Sequence, residues 1–386
     1  MGSKTELPDA SSPELRLVFP TEDEKVRTWT LNHVEWGGAL SLEDYLAREP
    51  FLATIPLAEN GGMRYWILTD SSAAPGSRPV LASCETLRKK VLVTDPKTGE
   101  VREDIAYGIA SVYTDPPYRG RRYASRMLQE LGRVLGEGFE ELDGQHAKPA
   151  ASALWSDIGK SFYAKLGWAP CPSLHVSFAV PATAKADESQ PDSEIITYDN
   201  LESFCKSDEE LMRKRLSGHA RDGKPQIAFA PNYDIIRWHL YRGGFIADRV
   251  FKGQEQTPAK GAVAGAHGKR VWAIWTRNYR GDGEDAAKNT MYILRLVVED
   301  ESASQEELVS SFGAVMHKAQ SEARQWRLGK IELWNPSPVV DVLIKKSGLD
   351  HDIIERQKDS IPSLMWYGEE DTQQVDWVAN EKFCWC

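Results

Sequence analysis

Ile105-Ala106-Tyr107-Gly108-Ile109-Ala110-Ser111-Val112-Tyr113-Thr114 runs into Asp115-Pro116-Pro117-Tyr118 and then into Arg119-Gly120-Arg121-Arg122-Tyr123-Ala124-Ser125. The first ten residues read as a strand. The paired prolines end it, because neither a central strand nor a helix interior accommodates them. Met127, Leu128, Leu131, Val134 and Leu135 then fall at i, i+1, i+4, i+7 and i+8, one face of a helix. The order is strand, proline turn, basic glycine loop, helix. The first turn of a helix leaves backbone N–H groups unpaired, and the helix dipole adds partial positive charge there. Phosphates settle at such places. Gly120 lets the backbone approach closely, and three arginines add full charge. Residues 119–125 therefore read as a diphosphate cradle; a helix start with a solvated basic turn is the plainer alternative.

The stretch resembles the central motif of the GNAT acetyltransferase superfamily, Arg/Gln-x-x-Gly-x-Gly/Ala. Val112 to Gly120 matches the family's strand, proline and Tyr-Arg-Gly entry, and Ala124 matches its closing small residue. Arg122 departs, placing a Cβ where the family prefers its second glycine. A second segment, Ser161-Phe162-Tyr163-Ala164-Lys165-Leu166-Gly167-Trp168, resembles the family's closing motif Phe/Leu-Tyr-x-Lys-Leu-Gly-Phe. The resemblance implies acetyl-CoA as co-substrate, held by Val112, Tyr113, Thr114, Arg119, Gly120, Arg121, Arg122, Tyr123, Ala124 and Ser125. Ser156 stands where many members carry an Asn that touches the pantetheine arm. It further implies that Tyr163 protonates the departing thiolate. On pattern alone Tyr163 also fits a helix aromatic packed in a core.

Length and composition set the frame. A chain of 386 residues has room for two or three domains, and 41% hydrophobic with 27% charged residues fits a soluble globular protein. A formal net charge of −10 argues against nucleic acid or an anionic membrane as a standing partner. Five cysteines, at 84, 171, 205, 384 and 386, show neither a disulfide framework nor a zinc spacing. No metal is expected, and a reducing, cytoplasmic compartment is. No leader-like segment or apolar run of membrane-spanning length stands out. Cys384-Trp385-Cys386 resembles one class of prenylation signal but lacks a polybasic approach. Val375, Trp377, Val378, Phe383 and Trp385 instead fit a tail packed into the fold.

The chain reads in order as follows. Residues 1–14 are polar and expected to be disordered. Leu15 to Phe19 alternates as a strand. Thr21 caps a helix ended by Gly37-Gly38, and Ser41 opens a second short one. Strands follow at 63–69 and 80–93, then the central strand, loop and helix. Ala151 to Trp155 reads as a strand, Asp157 to Leu166 as a helix, and Leu174 to Val180 as a closing strand, with His175 opposite its apolar set. This β, α, α, β, β, β, α, β, α, β order is an α/β layout with a mixed, mainly antiparallel sheet, and it is the order of a GNAT domain over 15–181.

Residues 182–194 turn to Pro, Ala, Thr, Lys, Asp, Glu, Ser and Gln and read as a linker. The region 195–386 then repeats strand, strand, long helix, strand, short helix, strand. Its helices are expected at 209–216, 234–241, 304–327 and 339–346, its strands at 271–276, 291–298, 331–334 and 363–367. This reads as a degenerate GNAT-like half that completes the substrate pocket. Glu299-Asp300-Glu301-Ser302-Ala303 replaces the basic loop, and carboxylates there repel phosphate.

The whole chain resembles the fungal L-lysine N6-acetyltransferase family: the Trp-rich first helix ending Glu35-Trp36-Gly37, the strand Ile293-Leu294-Arg295-Leu296, and the tail Asn380-Glu381-Lys382-Phe383-Cys384-Trp385-Cys386. This implies transfer of acetyl from acetyl-CoA to the side-chain amine of free L-lysine, as in lysine degradation. The alternatives are another amine (a polyamine, an amino sugar or a protein lysine) and a non-catalytic acyl-CoA-binding module. Glu35, Glu85 and Asp115 are candidate bases. Arg237, Arg295, Glu332 and Glu381 are candidate partners for an amino acid's charged groups.

Overall fold

The computed structural model describes residues 7–140, 144, 146–183, 192–219, 223–281 and 283–386. Residues 1–6 and 184–191, part of the expected disordered start and most of the expected linker, lie outside the described residues. Residues 7–14 pack on the molecule, with the Pro8 carbonyl accepting from the Tyr123 hydroxyl at 2.7 Å.

The first half runs β1 (Leu15–Val18), α1 (Glu22–Trp36), α2 (Leu42–Ala53), β2 (Met63–Asp70), β3 (Ala82–Thr94), β4 (Val101–Tyr113), α3 (Tyr123–Glu137), β5 (Phe139–Glu140), β6 (His146–Ala147), β7 (Ala151–Ser156), α4 (Ser161–Ala164), β8 (Ala169–Pro170) and β9 (Leu174–Ala179). Thr21 and Glu24 form a capping box that fixes the start of α1, and Ser41 caps α2. The helix expected from Asp157 shrinks to α4, because Gly159 takes φ 84° and holds residues 157–160 in a loop.

The second half runs β10 (Ser193–Ile196), α5 (Tyr198–His219), β11 (Gln226–Phe229), α6 (Tyr233–Val250), β12 (Gly261–Ala264), β13 (Val271–Asn278), β14 (Thr290–Val298), α7 (Gln305–Gln325), β15 (Lys330–Trp334), α8 (Pro338–Lys346), β16 (His351–Glu355), β17 (Ile361–Trp366) and β18 (Asp376–Trp377). Among the described residues no helix is long and apolar enough to cross a membrane.

These strands form two large sheets. The first has the order β1-β2-β3-β4-β7-β17-β8, with β11 added to the far end of β3 and β18 to β11. The second has the order β10-β12-β13-β14-β15-β9-β16. The halves exchange strands. β9, expected to close the first sheet, lies in the second, antiparallel to β15 and β16. β17, expected in the second, lies in the first, antiparallel to β7 and β8. The exchange also corrects His175: strands on both sides bury it to 8% exposure, 4.0 Å from Glu332.

Three apolar layers hold the sheets. Met127, Leu128, Leu131 and Leu135 of α3 pack on Tyr107, Ile109 and Leu154 of the first sheet. Val91, Ala153, Phe229, Trp272, Leu294 and Leu364 pack between the two sheets. Phe312, Val315, Met316 and Ala319 of α7 cover the outer face of the second sheet. Arg295 is buried between the sheets and forms a two-pronged bond to Asp208, at 2.8 Å each, and an ion pair with Glu381. Burying three charges requires this degree of pairing.

Candidate active site

β4 and β7 run parallel from Ala106/Ala151 to Ile109/Leu154 and then lose their pairing. On its other edge β4 carries a bulge: Glu85 faces Ala110 and Ser83 faces Tyr113, so Ser111 and Val112 together oppose Cys84. Ser111 takes φ 51° there. A bulge turns backbone groups out of the ladder, here at the mouth of the gap between two diverging strands. Val112, Tyr113 and Thr114 line up along that mouth.

The basic loop follows. Gly120 takes φ 80° with no atom within 4 Å of where a Cβ would stand. Arg122 takes φ 64° and ψ 18°, the left-handed conformation that its family glycine would adopt without cost. The side chain is thus accommodated by backbone strain and not by a different turn. Arg122 is the N-cap of α3 and gives that helix no side-chain cap. The first-turn N–H groups of Tyr123, Ala124 and Ser125 therefore stay open to an anion. Arg119, Arg121 and Arg122 are exposed around them. Arg119 donates to the Thr114 carbonyl at 3.0 Å, lies 3.6 Å from Glu35 and stacks over Tyr113. This surrounding fits a diphosphate.

Tyr163 sits in α4, 8% exposed, edge-on to Phe162. Burial, with Asp157 and Cys84 nearby, pushes its phenol well above the ordinary range. Its hydroxyl therefore stays protonated. Ser156 ends β7; its hydroxyl donates to the Gly159 carbonyl at 2.7 Å and accepts from the Ile158 N–H at 3.2 Å.

On the opposite face of the sheet from α3, a narrow cavity opens beside the bulge. Its walls are Ala110, Ser111, Glu85, Leu87 and Met63 from the sheet, Trp36 from α1, Tyr45, Arg48, Glu49 and Leu52 from α2, Trp238 and Arg242 from α6, and Trp385 with Cys386. Both halves build it. Lys89, 1% exposed, holds the C-terminal wall by donating to the Cys384 and Trp385 carbonyls at 2.7 and 3.0 Å. Of the three candidate bases only Glu85 lines this cavity. Burial raises its carboxyl, the negative Glu49 raises it further, and the hydrogen bond from the Ser111 hydroxyl at 3.1 Å only partly offsets this, leaving it at about 8. Glu35 is half exposed and paired with Arg119, and Asp115 heads the proline turn.

None of the four candidates for an amino acid's charges reaches the cavity. Arg237 pairs with Asp234, Arg295 with Asp208 and Glu381, and Glu332 with Lys330. The residues that do were missed, though a signal was there. Tyr45, Arg48, Glu49 and Leu52 fall at i, i+3, i+4 and i+7, a buried helix stripe with an ion pair in its middle. A larger cavity of about 330 Å³ lies elsewhere, in the gap between the parallel β14 and β15. There Glu381 accepts from the Leu296 N–H at 3.2 Å, so the tail occupies the backbone donor of that gap.

Residues 177–386 match the family model described as the LYC1 GNAT-like C-terminal domain, which begins within β9. A lysine acetyltransferase of Yarrowia lipolytica is 25% identical over 95% of this chain and 98% of its own. An uncharacterized protein of Saccharomyces cerevisiae, YGR111W, is 23% identical over 97% of this chain and 99% of its own. Among solved structures, a GCN5-related N-acetyltransferase from Anabaena variabilis shares the fold at a TM-score of 0.52 and 14% identity, over 92% of this chain and 73% of its own. Saccharomyces cerevisiae N-myristoyltransferase with bound myristoyl-CoA does so at 0.52 and 8%, over 96% of this chain and 82% of its own. The family match spans more than half of the chain and the diverging strands, bulge and open helix start have the matching form: the chain belongs to the LYC1-type GNAT family and is an N-acetyltransferase.

Proposed function

We propose that the protein transfers the acetyl group of acetyl-CoA to the side-chain amine of free L-lysine. One observation carries the reading. The acceptor cavity is narrow, walled by both halves, and holds a buried carboxylate, Glu85, beside the bulge of β4. A wide groove for a protein substrate would need that wall open. The name of the Yarrowia relative supports lysine as the acceptor.

Acetyl-CoA supplies the acetyl group as a thioester. Residues 119–125 would hold its diphosphate, and the gap between β4 and β7, with Ser156 at its edge, would take the arm. Backbone N–H groups at the bulge, Ser111 to Tyr113, stabilise negative charge on the carbonyl oxygen. Glu85 takes the proton of the attacking amine through its carboxylate, and Tyr163 gives its phenol proton to the thiolate. A thiol-release assay across a panel of amines, with mass spectrometry of the product, tests the reading. Acetyl on the ε-nitrogen of free lysine is the expected product. Turnover only of peptides, polyamines or amino sugars would overturn the lysine assignment and leave the acetyltransferase intact.

A further inference from the structure

We infer that Arg48 and Arg242 form a carboxylate clamp on the helical wall of the acceptor cavity, so that the enzyme selects amines carrying a carboxylate. The inference deepens the acceptor reading above and rests on it.

The two guanidinium groups reach the cavity from different halves, Arg48 on α2 and Arg242 on α6. Arg48 is 4% exposed, and its Nε donates to Glu49 Oε1 at 3.0 Å. Its Nη1 is buried and has no partner among the described residues. Arg242 has no carboxylate within ion-pair distance among the described residues; the Trp385 ring lies 5.2 Å from it. Burial and the neighbouring Arg48 bring its guanidinium down to about 10, the sign of two cations held together away from water.

The geometry shows what is missing. Arg48 Nη1 and the Arg242 guanidinium both line the walled cavity without a carboxylate partner among the described residues. Burying an unpaired charge is costly, and a folded chain retains it where a ligand completes the pair. A guanidinium fork matches a carboxylate with two parallel bonds. Glu85 stands on the sheet wall of the cavity, Arg48 on α2 and Arg242 on α6. An acceptor that lays its amine against Glu85 would turn its carboxylate to the two arginines. Glu49 then faces any second ammonium beside the carboxylate. A polyamine would bring a bare cation against the two arginines.

Lysine and 1,5-diaminopentane differ only by the carboxylate, so their kcat/KM ratio reads the clamp. The wild-type enzyme should prefer lysine by about 10- to 100-fold, the scale of one charge-assisted bond or two. Arg242→Met should collapse that preference at least tenfold, through KM for lysine, and Arg242→Lys should restore part of it. Equal use of the two amines by the wild type would overturn the clamp, and that comparison needs no variant to fold. A ratio unmoved by Arg242→Met in an enzyme that still turns over would overturn it as well. Turnover of neither amine would refute the lysine reading. The best acceptor of the panel, compared with and without its carboxylate, then decides the clamp separately.

Discussion

At the scale of single residues the proposed chemistry rests on two groups whose protons are held by burial. Tyr163→Phe keeps the ring and its contact with Phe162 while removing only the hydroxyl. It should lower kcat about 10²-fold or more, with KM for acetyl-CoA nearly constant, in steady-state kinetics. A packing role alone predicts a rate close to wild type. Glu85 must lose its proton to act as a base, and it does so at about pH 8. The pH profile of kcat/KM for the amine should therefore rise with a limb near 8, well below the free amine's own titration near 10.4. Glu85→Gln should remove that limb and lower the rate about 10²- to 10⁴-fold. The same raised value has the opposite sign for folding. The native state keeps a proton that the unfolded chain releases near 4.5, so this stabilisation is full below 4.5 and lost as pH climbs through about 8. Base strength and stability are thus set against each other in one carboxyl.

At the scale of elements, the open start of α3 is the proposed anion site, and a carboxylate in its loop should spoil it. Gly120 takes φ 80°, so a side chain there strains the loop, and a glutamate also brings negative charge to the phosphate position. Gly120→Glu should raise the Kd for acetyl-CoA by at least tenfold in a calorimetric titration, with the fold retained by circular dichroism. Unchanged affinity would show that the diphosphate lies elsewhere. Most elements were legible because their signals are local. The prolines at 116 and 117, the caps at Thr21 and Ser41 and the 3.6-residue spacing of α3 and α7 each act within one turn. The membership of β9 and β17 was not legible. Alternation tells which side of a strand is buried, and either sheet buries it. His175 shows the cost: its own strand marks it as outward, and only the neighbours β15 and β16 bury it. The acceptor end was unreadable for the same reason, since Arg48 and Arg242 meet through contacts between α2 and α6, far apart in sequence.

At the scale of the whole molecule, two similar halves have divergent uses. The gap between β14 and β15 parallels the one between β4 and β7, but Glu381 takes its backbone donor and Glu299, Asp300 and Glu301 replace the basic loop. Calorimetry should count one acetyl-CoA site per chain, and two would refute the argument from the acidic turn. The exchanged strands also set a schedule for the ribosome. β7 cannot receive its antiparallel neighbour until β17, about 200 residues later, has left the exit tunnel. At about 5–20 residues per second, the nascent first sheet waits roughly 10 to 40 s with its central edge bare. During that interval Ala151 to Ser156, buried on both faces in the finished protein, is an edge strand paired to β4 alone, of the kind that recruits other chains. The growing polypeptide is therefore most exposed to aggregation, and most in need of a chaperone, midway through its own translation.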